Sequence, residues 1–136
     1  MGTIENKQLF QSIFAGLSVG DGRLFIDSLA DDFCWTIIGT TAWSGTYRGK
    51  QAVQTDLLRP LLAQFADRYI NTLDRIVAEG DLVVVECHGR ATTTAGRPYN
   101  NSYCWICRVQ DGELQELTEY MDTALVETTL APPNTP

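Results

Sequence analysis

Between Tyr69 and Met121 the chain has no segment long enough for a crossover helix, and this constrains the fold more than any other feature. Strand-like stretches run from Tyr69 to Ala78, from Leu82 to Thr94 and on either side of Asp111-Gly112, separated only by the turns Glu79-Gly80-Asp81 and Ala95-Gly96-Arg97. Strands joined this tightly pair antiparallel, which excludes a parallel nucleotide-binding sheet. In the last hairpin, Pro98 to Thr123, the two-residue period places Tyr103, Trp105, Cys107 and Val109 on one face. Past the turn, Leu117, Glu119 and Met121 join them. Glu119 is thereby set on an apolar, aromatic surface, where an unpartnered carboxylate is costly and its pKa rises. Such a group is a candidate for ligand binding or proton transfer.

The N-terminal half reads differently. Ile4, Leu9, Phe10, Ile13, Phe14 and Leu17 recur at spacings of three and four, predicting an amphipathic helix that ends near Gly20. Asp21 caps a second, short helix through Leu29, stopped by Asp31 and Asp32. Phe33 to Ile38 then reads as a strand with Phe33, Trp35 and Ile37 on one face. Gly39 to Gly49 has no clear period and reads as a connection over one end of a pocket, with Trp43 and Tyr47 as its contact surface. Gly49 starts a third helix through Phe65, which Pro60 is expected to kink or split. The fold class is α+β: a curved antiparallel sheet wrapped by three N-terminal helices. Residues 1–128 form one domain, and 129–136, rich in proline and threonine, read as a flexible tail.

A net charge of −7 and the lack of a Lys/Arg cluster argue against nucleic acid as a partner. No apolar run approaches the length of a bilayer span, and the N-terminus lacks the pattern of a secretion signal, so a cytoplasmic protein is expected. Cys34, Cys87, Cys104 and Cys107 all fall in predicted strands. Cys104 and Cys107 have the spacing of a redox or zinc pair, but on a strand they point to opposite faces, so small buried hydrophobes are the expected role. His88 is the only histidine, which excludes a histidine-rich metal site.

Four further groups of residues bear on chemistry. Trp35, Trp43, Tyr47, Tyr103 and Trp105 are packing residues individually, but together they line one mouth and fit a flat, apolar or aromatic ligand. On the long middle strand Val85, Cys87, Gly89 and Ala91 share the small, apolar face that suits the pocket, and Gly89 permits the strand to bend. Glu86, His88 and Arg90 share the opposite face, which reads as a wet surface or an interface. Asp31 and Asp32, as neighbours, diverge too far to share a proton.

The opening helices ending in Gly20-Asp21, LADDFCW followed by GTYRGKQAV, the block EGDLVVVECHGRATTTAGRPYNNSY and the final RVQDGELQELTEYMDT resemble the SnoaL-like branch of the nuclear-transport-factor-2-like superfamily. That superfamily also contains ketosteroid isomerases and limonene epoxide hydrolases. The resemblance spans roughly residues 5 to 125 and implies a cone of curved sheet wrapped by three helices. The epoxide hydrolases have an aspartate where this chain has Glu119, but their second aspartate and arginine fall on Gly89 and Cys87. Their tyrosine and asparagine fall on Trp35 and Ile37. The ketosteroid isomerase base falls at about Ile37, and its oxyanion-hole tyrosine and aspartic acid at about Ile13 and Trp105. What the resemblance implies is cofactor-independent acid/base catalysis, of isomerase or cyclase type, on a small hydrophobic or polycyclic substrate. Glu119 would be the base, with Trp35 or Tyr103 positioning an enolate and Ile37, Leu117 and Met121 completing the pocket. The alternatives are a non-catalytic small-molecule binding or accessory protein and a divergent epoxide hydrolase. A homodimer through the outer sheet face is also implied.

Overall fold

The computed structural model describes residues 2–133. Helix α1, Thr3–Leu17, buries Phe10, Ile13 and Phe14 as the periodicity predicts, but the start of its inner face shifts. Ile4 is exposed and Asn6 is buried in its place. Helix α2, Arg23–Asp27, is shorter than expected: Leu29 lies not on it but at the start of strand β1, Leu29–Ile37. Asp31 and Asp32 therefore do not stop a helix. Both sit exposed on the strand, beside the irregularity between Leu29 and Cys34 in its pairing with the last strand. Carboxylates that reach water leave the backbone free to continue, while Leu29 and Ala30 are drawn into the core.

The aperiodic stretch from Gly39 to Gly49 contains a strand after all: β2, Gly45–Arg48, pairs antiparallel with β1. It is short and mostly exposed, so it carries no alternation to read. Residues 50–62 form one helical run: α3, Lys50–Ala52, a π-helical segment, Val53–Leu58, and α4, Arg59–Leu62. Pro60 is the second residue of α4, directly after the wider π turn, so the run is divided into α and π pieces just ahead of the proline.

Strands β3, Ile70–Glu79, β4, Leu82–Arg90, β5, Ser102–Gln110, and β6, Glu113–Met121, follow the predicted order. The sheet runs β2-β1-β6-β5-β4-β3. Every neighbouring pair is antiparallel except β1 with β6, which is parallel. Their separation in sequence removes the hairpin constraint that sets the direction of the others. Between β5 and β6, Asp111 and Gly112 both have positive φ, 52° and 77°, as a two-residue type I′ hairpin requires.

Along β4 and β5 burial alternates as predicted, with Val83, Val85 and Cys87, and Tyr103, Trp105, Cys107 and Val109, facing the helices. The outer face is wet. His88 Nδ1 lies 2.8 Å from Asp74 Oδ2, Arg75 pairs with Glu86, and Arg108 bridges Asp81 and Glu116 at 2.7 and 3.1 Å. The four cysteines are free, with Cys104 and Cys107 on opposite faces. No described helix is long and apolar enough to cross a bilayer.

A fifth helix, α5, Thr123–Thr129, follows β6 and was not foreseen. Asp122 caps it, accepting from the N–H groups of Ala124 and Leu125. Asn101 fixes its start, donating to the Asp122 carbonyl and accepting the Asp122 N–H, both at 3.1 Å. Beyond it, in the segment read as a tail, Ala131 is held on both sides. Its N–H donates to Gln64 Oε1, and its carbonyl accepts from Gln64 Nε2 and Trp43 Nε1 at 2.9 to 3.0 Å. Residues 134–136 of that expected tail lie outside the described residues.

Candidate functional site

The inner face of the sheet does not close completely against the helices. A cavity of about 340 Å³ remains between them, at the small end of the range typical of small-molecule sites. Its sheet wall holds Trp35 and Ile37 of β1, Tyr103 and Trp105 of β5, and Glu119 and Met121 of β6. Trp43 reaches it from the β1–β2 connection. The lining is predominantly apolar, so each polar group in it stands out.

Glu119 is enclosed, 7% exposed. Pairing explains its place: it stands directly opposite Trp105 on β5 and beside Ile37 on β1. Trp35, two residues before Ile37 on the same face of β1, donates its indole N–H to Glu119 Oε2 at 3.0 Å. The rings of Trp35 and Trp105 meet edge-on at 5.8 Å, and Phe25 of α2 packs edge-on against Trp35. These contacts fix the rotamer of the donor and hence of the acid. Burial raises the pKa of Glu119 from 4.5 to about 7, opposed by the Trp35 hydrogen bond and by the nearby indole of Trp105. The Trp105 N–H lacks hydrogen-bond geometry to any acceptor among the described residues. No other carboxylate is buried among the described residues, so nothing pairs with Glu119 or shares its proton.

Four residues expected at the pocket stand elsewhere. Tyr47, opposite Trp35 on the edge strand β2, packs against the core without lining the cavity, its hydroxyl bracing the loop by donating to the Trp43 carbonyl at 2.8 Å. Cys87 and Leu117 are on the inner face but buried in solid core, and burial pushes the Cys87 thiol up out of its usual range. Gly89 has a different use from bending. A Cβ there would lie 2.2 Å from the Tyr69 hydroxyl oxygen, so its missing side chain is the space that seats Tyr69.

The structure adds residues that the sequence reading missed. Tyr69, Asn71 and Tyr99 contribute polar groups to the wall, and Leu57 and Leu61 close the helical side. Tyr69 and Asn71 are two apart at the start of β3, a period-two signal that was present but short. Val126 and Leu130 come from the C-terminal segment, whose one sequence cue was the Asp122 cap.

Residues 10–117 match the model of the SnoaL-like domain. Among solved structures, one similar fold is an NTF2-like protein of unknown function from Burkholderia pseudomallei, 21% identical, with 93% of this chain and 98% of that one covered and a TM-score of 0.77. Another is a protein from Jannaschia sp. CCS1 named as a SnoaL-like polyketide cyclase, 15% identical over 98% and 95% of the two chains, TM-score 0.75. A third is Bal32a from a soil-derived mobile gene cassette, 14% identical over 95% and 98%, TM-score 0.81. At such identities the likeness is one of fold. No curated protein matches the chain in sequence. With most of its length matched by that family model, the chain belongs to the SnoaL-like domain family, and it shares its fold of sheet and helices with these structures.

Proposed function

We propose that this protein catalyses proton transfer on a small, largely apolar substrate bound in the cavity, as an isomerase or cyclase, with Glu119 as the acid/base. The observation that carries the reading is a single enclosed carboxylate on an apolar cavity wall with a pKa of about 7. At neutral pH such a group is present in both protonation states, so it can take a proton from carbon and return it elsewhere on the same molecule. The Trp35 N–H holds one carboxyl oxygen, which leaves the other for the substrate. Trp35 is thus the positioning partner of the acid, not of the enolate. An epoxide hydrolase reading has less support: the places of a second acid and an arginine are taken by Gly89 and Cys87, and Gly89 is covered by Tyr69.

Solvent deuterium exchange into a panel of small ring compounds with acidic C–H bonds, followed by proton NMR, tests this. The protein is expected to accelerate exchange for a subset of the panel, and Glu119→Gln to lower the rate by roughly 10²- to 10⁴-fold. Equal exchange in the variant refutes the role of Glu119. Saturable binding without exchange across the panel favours the second reading, a small-molecule binding or accessory protein using the same cavity. A second copy of the chain is the proposed partner on the outer sheet face, where Ile106 and Tyr120 are exposed. Sedimentation as a monomer at micromolar concentration refutes that pairing.

A further inference from the structure

We infer, on the reading that a ligand occupies this cavity but without requiring proton transfer by Glu119, that Arg68 binds an anionic group at the cavity mouth. The ligand is then amphipathic, an apolar body that ends in a carboxylate.

Of the residues that line the cavity, only Leu62, Asp67 and Arg68 are exposed, so its mouth lies at α4 and the segment that follows it. Arg68 reaches from there onto the turn between α1 and α2. Its Cγ and Cδ occupy the space that a side chain at Gly20 would need, and any Cβ there would overlap them. Its Nη1 donates to the Val19 carbonyl at 3.4 Å. The aliphatic stem is thereby seated against the rim while the residue stays exposed. The missing side chain of Gly20, whose φ is also positive, thus decides where this cation stands.

Among the described residues Arg68 is the only cation in the lining, and it forms no salt bridge. The acids near it already have partners. Asp21, which Arg68 helps to keep ionised, is gripped by Arg23 through both oxygens at 3.0 and 2.8 Å. Asp67 accepts the Thr92 N–H at 2.7 Å, so its carboxylate is oriented by the segment after β4 and not by its neighbour. A guanidinium is a planar fork of N–H donors. One long bond to a carbonyl leaves most of that fork open to a ligand.

The rest of the cavity fixes which way such a ligand lies. A carboxylate taken inside would lose its water against predominantly apolar walls, and it would face Glu119, a like charge whenever that group is ionised. The apolar end therefore enters and the charged end stays at the rim. Leu62, exposed beside the mouth, covers the part of the body that emerges. A carboxylate suits Arg68 better than a phosphate does. It is planar, it matches the fork with two parallel hydrogen bonds, and it brings a single charge. A doubly charged phosphate would meet one cation flanked by Asp21 and Asp67.

Naphthyl carboxylates of increasing reach, 2-naphthoate, 2-naphthylacetate and 3-(2-naphthyl)propionate, are compared with their neutral carboxamides by calorimetry at neutral pH. For at least one length the carboxylate is expected to bind about fivefold tighter than its amide, and the gap is expected to narrow as NaCl is raised. Arg68→Gln is expected to reduce the gap to less than about twofold while leaving the amide's affinity unchanged. Arg68→Lys, which keeps the charge without the fork, is expected to retain part of it. Equal affinity of acid and amide at every length overturns the inference, as does a gap that survives Arg68→Gln or does not respond to salt. Tighter binding of 3-(2-naphthyl)propylamine than of the carboxylates also overturns it and assigns the rim to Asp67. So does failure of every probe to bind at millimolar concentration. Because only binding is read, loss of the gap with deuterium exchange intact removes the Arg68 subsite alone, and absence of exchange with the gap intact removes proton transfer alone.

Discussion

The environment of Glu119 makes its ionisation a measurable part of folding stability. In the unfolded chain the carboxyl ionises near 4.5, whereas burial holds it at about 7 in the native state. Below pH 4.5 both states are protonated and there is no penalty. As pH rises, the unfolded chain releases its proton while the native state keeps it. Stability therefore falls with pH across this window and levels off above the native pKa. At about 1.4 kcal/mol per pH unit, the loss between pH 4.5 and 8 is on the order of 3 kcal/mol. Glu119→Gln removes the ionisation, and the amide oxygen can still accept from Trp35. Urea denaturation of both proteins from pH 4.5 to 8 isolates the effect, because every other titrating group is common to the two. The variant is expected to gain about 3 kcal/mol relative to wild type over that range, whatever constant offset its amide N–H groups introduce. Parallel stability profiles would refute the claim that the carboxyl is buried and unpartnered by charge. A profile in which wild type gains on the variant as pH rises would mean that Glu119 is stabilised as an anion.

Replacing Trp35 with Phe removes the one indole hydrogen bond to the acid, so the Glu119 midpoint in a carboxyl ¹³C NMR titration is expected to move upward from about 7; an unchanged midpoint would show that Trp35 does not hold it. Gly89→Ala is expected to cost roughly 1–3 kcal/mol by forcing Tyr69 aside, and to cost much less in a Tyr69→Ala background. Additivity of the two changes in a denaturation cycle would contradict the seating of Tyr69 on Gly89. Gln64→Ala removes both side-chain contacts to Ala131, so the Ala131 amide is expected to lose hydrogen-exchange protection while amides of β5 keep theirs. Unaltered protection at Ala131 would mean that Gln64 does not clasp the C-terminal segment.

The alternation of β4, β5 and β6 was legible because side-chain period and burial coincide there. Tyr103, Trp105 and Glu119 were placed on the cavity face by counting residues in twos, and the Asp111-Gly112 turn by its preference for positive φ. β1 starts four residues earlier than its pattern suggests because its first acids point to water and break the alternation, and β2 was missed because an exposed edge strand has no buried face to display. Pro60 signalled a kink or a split, and the helical run changes from π to α immediately ahead of it.

The candidate site divides in the same way. That an acid would share a face with aromatic residues is a property of strand geometry, and the sequence alone determined it. Whether that acid had a charged partner depended on what the β1–β6 pairing and the helices brought opposite, which no local pattern encodes. The parallel register set Trp35 against Glu119, no described cation forms a salt bridge with it, and the helices stopped short of filling the space in front. Gly89 and Tyr69 make the same point from the other side: their fit is a contact between β4 and the start of β3, invisible until both strands are in register. Periodicity fixes which way a side chain points, but what it meets there is decided by packing between segments distant in sequence.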